Sequence, residues 1–361
     1  MNRTVRVDLS DRSYDISIGH DLEIGTAGAI PKNCRAMIIS DSNVEPLHGD
    51  WCRKKLDESG IESDTHVIPA GEESKSLNTM AELYDRAVDL HLDRSSLVVA
   101  LGGGVVGDLA GFLAATYLRG IRLVQVPTSL LAMVDSSVGG KTGVNLARGK
   151  NLVGSFYQPV EVVVELSTLK TLPEREYISG LAEVVKYGVI RDKALFESLE
   201  GCASELLSRN MELLVDIVAR CCEIKAEVVG DDERESGTRA ILNFGHTLGH
   251  AIENVLGYGE WLHGEAVAAG MAYATKLSER VRGLNSDESA RIISLVSGLG
   301  LPADWHGPGG DLAWQALRNA MATDKKAMGR IPRFVLADTI GEVTFGCEIP
   351  EDVLCEAYGM D

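Results

Sequence analysis

Three of the eight histidines in this 361-residue chain, His246, His250 and His263, fall within 18 positions. His246 and His250 stand at i,i+4 in Asn243-Phe244-Gly245-His246-Thr247-Leu248-Gly249-His250, so a helix there presents both on one face. His263-Gly264-Glu265 opens a second helical run, and Glu183 and Lys186 share a face at i,i+3 further upstream. Two imidazoles and one carboxylate make a zinc ligand set with a position left for water or substrate. Spacing does not choose between His246 and His250 as the partner of His263, and the His246/His250 pair could also be the whole metal pair. Glu253 and Glu265 read as helix-surface charges and are weaker ligand candidates.

A glycine turn carries a different chemistry. The apolar run 96–101 passes into Gly102-Gly103-Gly104-Val105-Val106-Gly107-Asp108, and a helical pattern follows. Strand, glycine turn and helix N-terminus in that order suit a dinucleotide pyrophosphate, while a packing turn with no ligand is the plain alternative. The acidic residue that such a unit places about 20 positions on is missing, since the next strand ends in Val126-Pro127-Thr128-Ser129. Asp41, at the end of an earlier strand, is the ribose candidate instead. Gly71-Glu72-Glu73-Ser74-Lys75 ends another strand; solvated charges at a helix start are the alternative there.

The chain holds 35 basic and 53 acidic residues, a net charge of −18. That balance argues against nucleic acid or an anionic membrane as the partner. A small anion needs local compensation, which Arg119, Lys141, Lys150, Lys186, Lys225, Arg239, Lys325 and Lys326 provide as a set. The run Asp135–Asn145 reads as a flexible, donor-rich loop suited to phosphate oxygens, and Gly149-Lys150-Asn151 repeats that chemistry.

These groups need a scaffold to hold them. Runs 4–9 and 14–18 suit an early hairpin, and 36–40, 65–69, 96–101 and 123–126 suit buried strands. Leu77, Met80, Leu83, Tyr84 and Val88 lie on one face of a helix over 76–91. Such alternation predicts a doubly wound, mainly parallel sheet in an α/β domain over 1–165. Long helical patterns, including 211–229 and 267–281, then predict a mostly helical domain over 166–361, with one late strand at 333–336. No apolar run approaches the roughly 18 residues of a membrane span, and the N-terminus lacks a signal-peptide core. Seven cysteines without a CxxC pair fit reduced thiols in a cytoplasmic protein, with Cys221 and Cys222 as packing residues.

Together these segments resemble the 3-dehydroquinate synthase family, within the sugar-phosphate cyclases, from about Tyr14 to Leu336. The resemblance is carried by GEESKS at 71–76, LGGGVVGDLAGF at 101–112, VPTSLLAMVDSSVGGKTGVN at 126–145, GKNLVGSFYQP at 149–159, TLPERE at 171–176, GLAEVVKYG at 180–188, RAILNFGHTLGHAIE at 239–253, HGEAVAAGM at 263–271 and DKK at 324–326. Glu165 stands where the family often has Asp, and Ser129 where a second Thr is common.

The resemblance implies Glu183, His246 and His263 as ligands of Zn2+ or Co2+, with His250 facing substrate and assisting proton transfer. It implies NAD on Asp41, Glu72, Lys75, Gly103, Gly104, Val105, Val106, Gly107, Asp108, Thr128, Ser129 and Thr171. It implies that 3-deoxy-D-arabino-heptulosonate 7-phosphate is held by Arg119, Lys141, Lys150, Asn151, Lys186, Lys225, Arg239, Asn243 and one of Lys325 and Lys326. The implied reaction oxidises C5 transiently, eliminates phosphate, re-reduces C5, opens the ring and closes a carbocycle by aldol addition, within the shikimate route to aromatic amino acids. A homodimer is implied as well. Three other readings stand beside this one: a cyclase for another sugar phosphate, a metal-dependent polyol dehydrogenase, and a catalytically silent NAD binder.

Overall fold

The computed structural model describes residues 2–257, 259–307, 310, 312–323 and 332–359, and its chain divides into two compact units. The first comprises Met1–Pro173 and Met211–Arg234, the second Glu174–Asn210 and Glu235–Asp361.

In the first unit, β1 (Arg3–Val7) and β2 (Tyr14–Gly19) form the expected antiparallel hairpin. There follow β3 (Arg35–Asp41), α1 (Glu45–Glu58), β4 (Glu62–Ile68), α2 (Leu77–Asp89), β5 (Leu97–Gly102), α3 (Gly104–Thr116), β6 (Arg122–Pro127), β7 (Lys141–Leu146), β8 (Gly149–Phe156) and β9 (Glu161–Glu165). Seven of these strands build one sheet in the order β1-β2-β9-β6-β5-β3-β4, parallel except at β1–β2. Period-two alternation gives that sheet two apolar faces. Met37, Ile39, Val98 and Ala100 join the core under α2 and α3, while Ala36, Ile38, Val99 and Leu101 join the core with Cys52 and Leu56 of α1.

Two features depart from the expectations. Asp135–Asn145 is not a flexible loop: a single π turn over Ala132–Ser136 leads into β7, which pairs with β8 from Lys141↔Phe156 to Leu146↔Gly149. Backbone pairing does not need apolar side chains, so a glycine-rich polar run can still form a ladder. Second, α6 (Met211–Asp231) clusters with the sheet, although it falls within the stretch read as the helical domain. It packs along β1, β2 and the π turn, burying Leu214, Val218, Cys221, Cys222 and Lys225, and an Arg3–Asp216 ion pair at 2.8 Å ties its exposed side to β1.

The second unit contains α4 (Glu174–Arg191), α5 (Lys193–Leu207), α7 (His246–Leu256), α8 (His263–Val281), α9 (Ser286–Gly298), α10 (Trp314–Thr323), the hairpin β10 (Arg333–Thr339) and β11 (Glu342–Glu348), and α11 (Glu351–Tyr358). It is mostly helical, as expected. α8 is its centre: nearly every residue from Gly264 to Ser278 is buried.

Candidate functional site

Close helix contacts in the second unit bring the metal-type side chains together. A Cβ at Gly264 of α8 would stand 1.8 Å from the Ser179 carbonyl of α4, and one at Gly270 would stand 1.9 Å from the Gly245 carbonyl before α7. Only glycine permits these approaches, which pull α4, α8 and the start of α7 into backbone contact. The Gly264 N–H also donates to Ser179 Oγ at 3.1 Å. Ser179 lies one turn before Glu183, and Gly264 directly follows His263.

The result is a cluster in which Glu183, His246 and His263 each place a ligand atom within 4.8 Å of the others. Glu183 is fully buried, and neither carboxylate oxygen accepts a directed hydrogen bond. Lys186, 1% exposed, pairs with Oε2 as an ion. Oε1 faces His246 Nε2 at 3.6 Å and His263 Nε2 at 3.8 Å, too far for hydrogen bonds. His246 Nδ1 lies 3.1 Å from the Phe244 carbonyl and His263 Nδ1 lies 3.3 Å from Glu253 Oε2. Both of these partners accept, so each contact calls for a proton on Nδ1, the tautomer that leaves Nε2 toward Glu183. Burial, reinforced by Lys186, holds His246 well below the ordinary imidazole range and so neutral.

This arrangement fits a divalent cation. Bonds of about 2.0–2.2 Å in tetrahedral geometry space donor atoms about 3.3–3.6 Å apart, close to the 3.6 and 3.8 Å from Glu183 Oε1 to the two Nε2 atoms. His250 lies near both histidines, its ring edge-on to His246 at 5.3 Å and tilted to His263 at 6.1 Å, and a second group, His250, Glu253 and His263, also meets the 4.8 Å spacing.

Glu253 and Glu265 are not the plain surface charges that their helix positions suggested. The Glu253 side chain is only 11% exposed and faces His263. Glu265 accepts from the Leu262 N–H at 2.7 Å and receives both arms of Arg175 at 2.7 and 2.8 Å. The clue for Glu253 is a heptad: His246, His250 and Glu253 recur along one stripe of α7.

Of the expected substrate residues in this unit, Arg239 is 1% exposed, and Asn243 donates to Glu235 Oε1 at 3.0 Å. Lys325 and Lys326 lie outside the described residues.

In the first unit, the glycine turn falls where the sheet's strands end, Gly103 capping α3. Two of its motif glycines answer to packing: a Cβ would meet Val106 Cγ2 at 2.6 Å from Gly102 and Gln125 Oε1 at 3.0 Å from Gly107. Gly103 and Gly104 instead lie half-buried beside the Ser129 and Ser136 hydroxyls, at 3.4 and 3.2 Å from where a Cβ would be. Bare backbone, two hydroxyls and the open amides of Val105 and its neighbours form a cradle that fits phosphate oxygens.

Around this turn, several expected cofactor residues hold one another. Lys75 is 5% exposed and pairs with Asp108, whose carboxyl is pushed up by burial against the pull of Lys75. These are not solvated helix-start charges. Glu72 Oε1 accepts from Asn145 Nδ2 at 2.7 Å, and the Asn145 N–H donates to the Lys75 carbonyl at 2.8 Å, so the 71–76 turn is fastened to β7. Asp41 Oδ1 accepts from Asn43 and Val44 N–H at 2.8 and 3.0 Å. The Thr128 N–H donates to the Gly102 carbonyl, and Thr171 Oγ1 donates to the Thr168 carbonyl and meets His48 Nε2 at 2.8 Å.

Among the expected anion-binding residues of this unit, Lys225 is 4% exposed and donates to both the carbonyl and Oδ1 of Asp135, at 2.6 and 2.8 Å. Lys141 and Arg119 are exposed, and Lys150 and Asn151 lie at the start of β8. Arg119 has φ +67° and Asn151 φ +53°, left-handed backbone that holds each at a fixed turn.

With its parallel-sheet unit carrying a glycine turn and its helical unit carrying a two-histidine, one-carboxylate cluster, the chain is similar to the sugar-phosphate cyclases. Two solved members are similar over nearly the whole chain. They are 2-deoxy-scyllo-inosose synthase with carbaglucose-6-phosphate, NAD+ and Co2+ (TM-score 0.89, 28% identity, 99% of each chain) and the 2-epi-5-epi-valiolone synthase ValA of Streptomyces hygroscopicus subsp. jinggangensis 5008 with NAD+ and Zn2+ (TM-score 0.87, 28% identity, 97% of each chain). Residues 65–179 match the 3-dehydroquinate synthase N-terminal domain and residues 180–327 its C-terminal domain. The 3-dehydroquinate synthase of Desulforamulus reducens is 48% identical over 356 residues, 97% of this chain and 98% of that protein. The chain belongs to the 3-dehydroquinate synthase family.

Proposed function

We propose that the chain converts 3-deoxy-D-arabino-heptulosonate 7-phosphate to 3-dehydroquinate and inorganic phosphate, with NAD and a divalent cation, Zn2+ or Co2+, as resident cofactors. The observation that supports this most is the Glu183 Oε1 atom, buried without a hydrogen bond and faced by the Nε2 atoms of His246 and His263. When bound, the cation acidifies the substrate's C5 hydroxyl and NAD+ accepts, then returns, the C5 hydride.

Glu183, His246 and His263 would hold the cation. The Gly103–Asp108 turn would hold the cofactor phosphates, with Asp41 Oδ2 turned to a ribose and Glu72, Lys75, Thr128, Ser129 and Thr171 shaping the pocket. Lys141, Lys150, Asn151, Arg119 and one of Lys325 and Lys326 would bind phosphate and stabilise its charge as it leaves. Lys186, Lys225, Arg239 and Asn243, three of them cations buried to 4% or less, would hold the hydroxyl and carboxylate groups in one pose. His250, beside the metal-type cluster, would pass a proton between substrate oxygen and solvent through its ring nitrogen. The leaving phosphate can take the C6 proton, so the chain needs no separate base there.

No helix of the described residues is long and apolar enough to cross a membrane, and all seven cysteines are unpaired, which supports a cytoplasmic setting. A homodimer is the assembly we propose, tested by light scattering.

The test is phosphate release from the heptulosonate 7-phosphate with catalytic NAD, with and without zinc, while NADH absorbance is followed. Stoichiometric phosphate with no NADH accumulation is expected. Accumulating NADH without phosphate would replace this reading with a dehydrogenase.

A further inference from the structure

His263 belongs to both groups of metal-type side chains: Glu183/His246/His263 and His250/Glu253/His263. One imidazole cannot serve both with the same nitrogen, and what Glu253 does decides between them. Glu253 Oε2 lies 3.3 Å from His263 Nδ1, and the Glu253 side chain is 11% exposed. An ionised carboxylate only accepts, so this contact places a proton on Nδ1 and directs the Nε2 lone pair away from Glu253. Nε2 is the atom that faces Glu183 Oε1, at 3.8 Å.

The other histidine of the set differs in its backing. His246 Nδ1 is held by the Phe244 carbonyl, two residues away on its own backbone. His263 is the first residue of α8. Its orienting group comes from α7, where Glu253 lies one heptad after His246 on the same face.

We infer that Glu253 is a positioning residue: it fixes the His263 tautomer and commits the cation to Glu183, His246 and His263 rather than to the His250 group. A carboxylate behind a ligating histidine orients the ring and raises its basicity, and losing one costs about 10–100-fold in metal affinity. The inference rests on the proposed metal centre.

Its test is metal titration of the metal-free protein with Zn2+, followed by the visible spectrum of the Co2+ form. Wild type, Glu253→Gln, Glu253→Ala and His250→Ala are compared. The expected result is one ion per chain in all four and an unchanged Co2+ band shape. Affinity should fall about tenfold or more in Glu253→Ala and less in Glu253→Gln, whose amide oxygen still accepts from Nδ1. It should be near wild type in His250→Ala. Equal affinity of wild type and Glu253→Ala overturns the positioning role. A new Co2+ band shape in both Glu253 variants, with affinity lost in His250→Ala, overturns it differently, by making Glu253 a ligand of the other group. No binding by wild type would instead overturn the metal centre itself. Thermal unfolding of the metal-free forms, expected to be alike, separates lost affinity from lost fold.

Discussion

Gly264→Ala tests whether close packing of α4 on α8 sets the metal-type cluster. The new methyl would start 1.8 Å from the Ser179 carbonyl oxygen, and real Cβ contacts do not fall below 3.0 Å. One backbone must therefore withdraw by about 1.2 Å, the difference between those distances, because no flexible side chain tip can yield instead. Overpacking of this kind costs about 1–3 kcal/mol. Stretching the buried Gly264 N–H to Ser179 Oγ bond adds about 1 kcal/mol, and the better helix propensity of alanine returns up to about 1 kcal/mol. The net loss is about 1–3 kcal/mol, a Tm drop of about 2–12 °C for a unit of this size. The same shift separates His263 from Glu183, in a centre whose bond lengths tolerate about 0.2 Å, so zinc affinity should fall more than tenfold. Scanning calorimetry of the metal-free protein and zinc titration read the two effects. Gly201→Ala in α5 is the control, since nothing lies within 4 Å of its Cβ position. A Gly264→Ala protein with wild-type Tm and wild-type zinc affinity would refute the reasoning.

Other expectations follow from the first unit. Lys75→Met leaves Asp108 without its cation in a buried setting and should destabilise by about 2–3 kcal/mol, less than a fully enclosed pair because the Asp108 side chain is 19% exposed. The double variant Lys75→Met/Asp108→Leu should recover most of that loss in urea unfolding; a double variant as unstable as the single would show that the pair is not the cause. His48 is held below the ordinary imidazole range by burial. Its unfolded form, with a pKa of about 6.5, takes up a proton that the native form resists, so stability falls as pH drops below that value. His48→Gln should make the urea midpoint less sensitive to pH between about 5 and 7, and an unchanged slope would remove His48 from that dependence.

How far the sequence could be read depended on how local each signal was. The hairpin of β1 and β2, the helix over α2 and the strands β3 to β6 follow from alternation, short apolar runs or helical spacing within a single segment, and the structure contains them. β9 was not legible in that way: Glu161–Glu165 is buried between β2 and β6, but its apolar run is only three valines flanked by two glutamates, too short to signal a strand. α6 reads correctly as a helix, but a helical pattern does not say which unit will cover its apolar face, and here β1 and β2, some 200 residues earlier, do so.

Charges show the same limit more sharply. Lys75 and Asp108 both stand in motifs that suggest a ligand, and nothing in either segment signals that each is the other's partner across 33 residues. Glu253 is the converse. Its spacing from His246 and His250 was readable as one stripe of α7, yet a carboxylate on a helix stripe is ordinary until a second helix crosses it. What turns it into a partner for His263 is the approach of α8 to α7, and that approach is set by the bare backbone of Gly270 against the Gly245 carbonyl. The glycines of this unit therefore carry as much of the site as its histidines do. Their contribution shows only in three dimensions, because a glycine that permits contact and one that merely ends a turn are the same letter in a sequence.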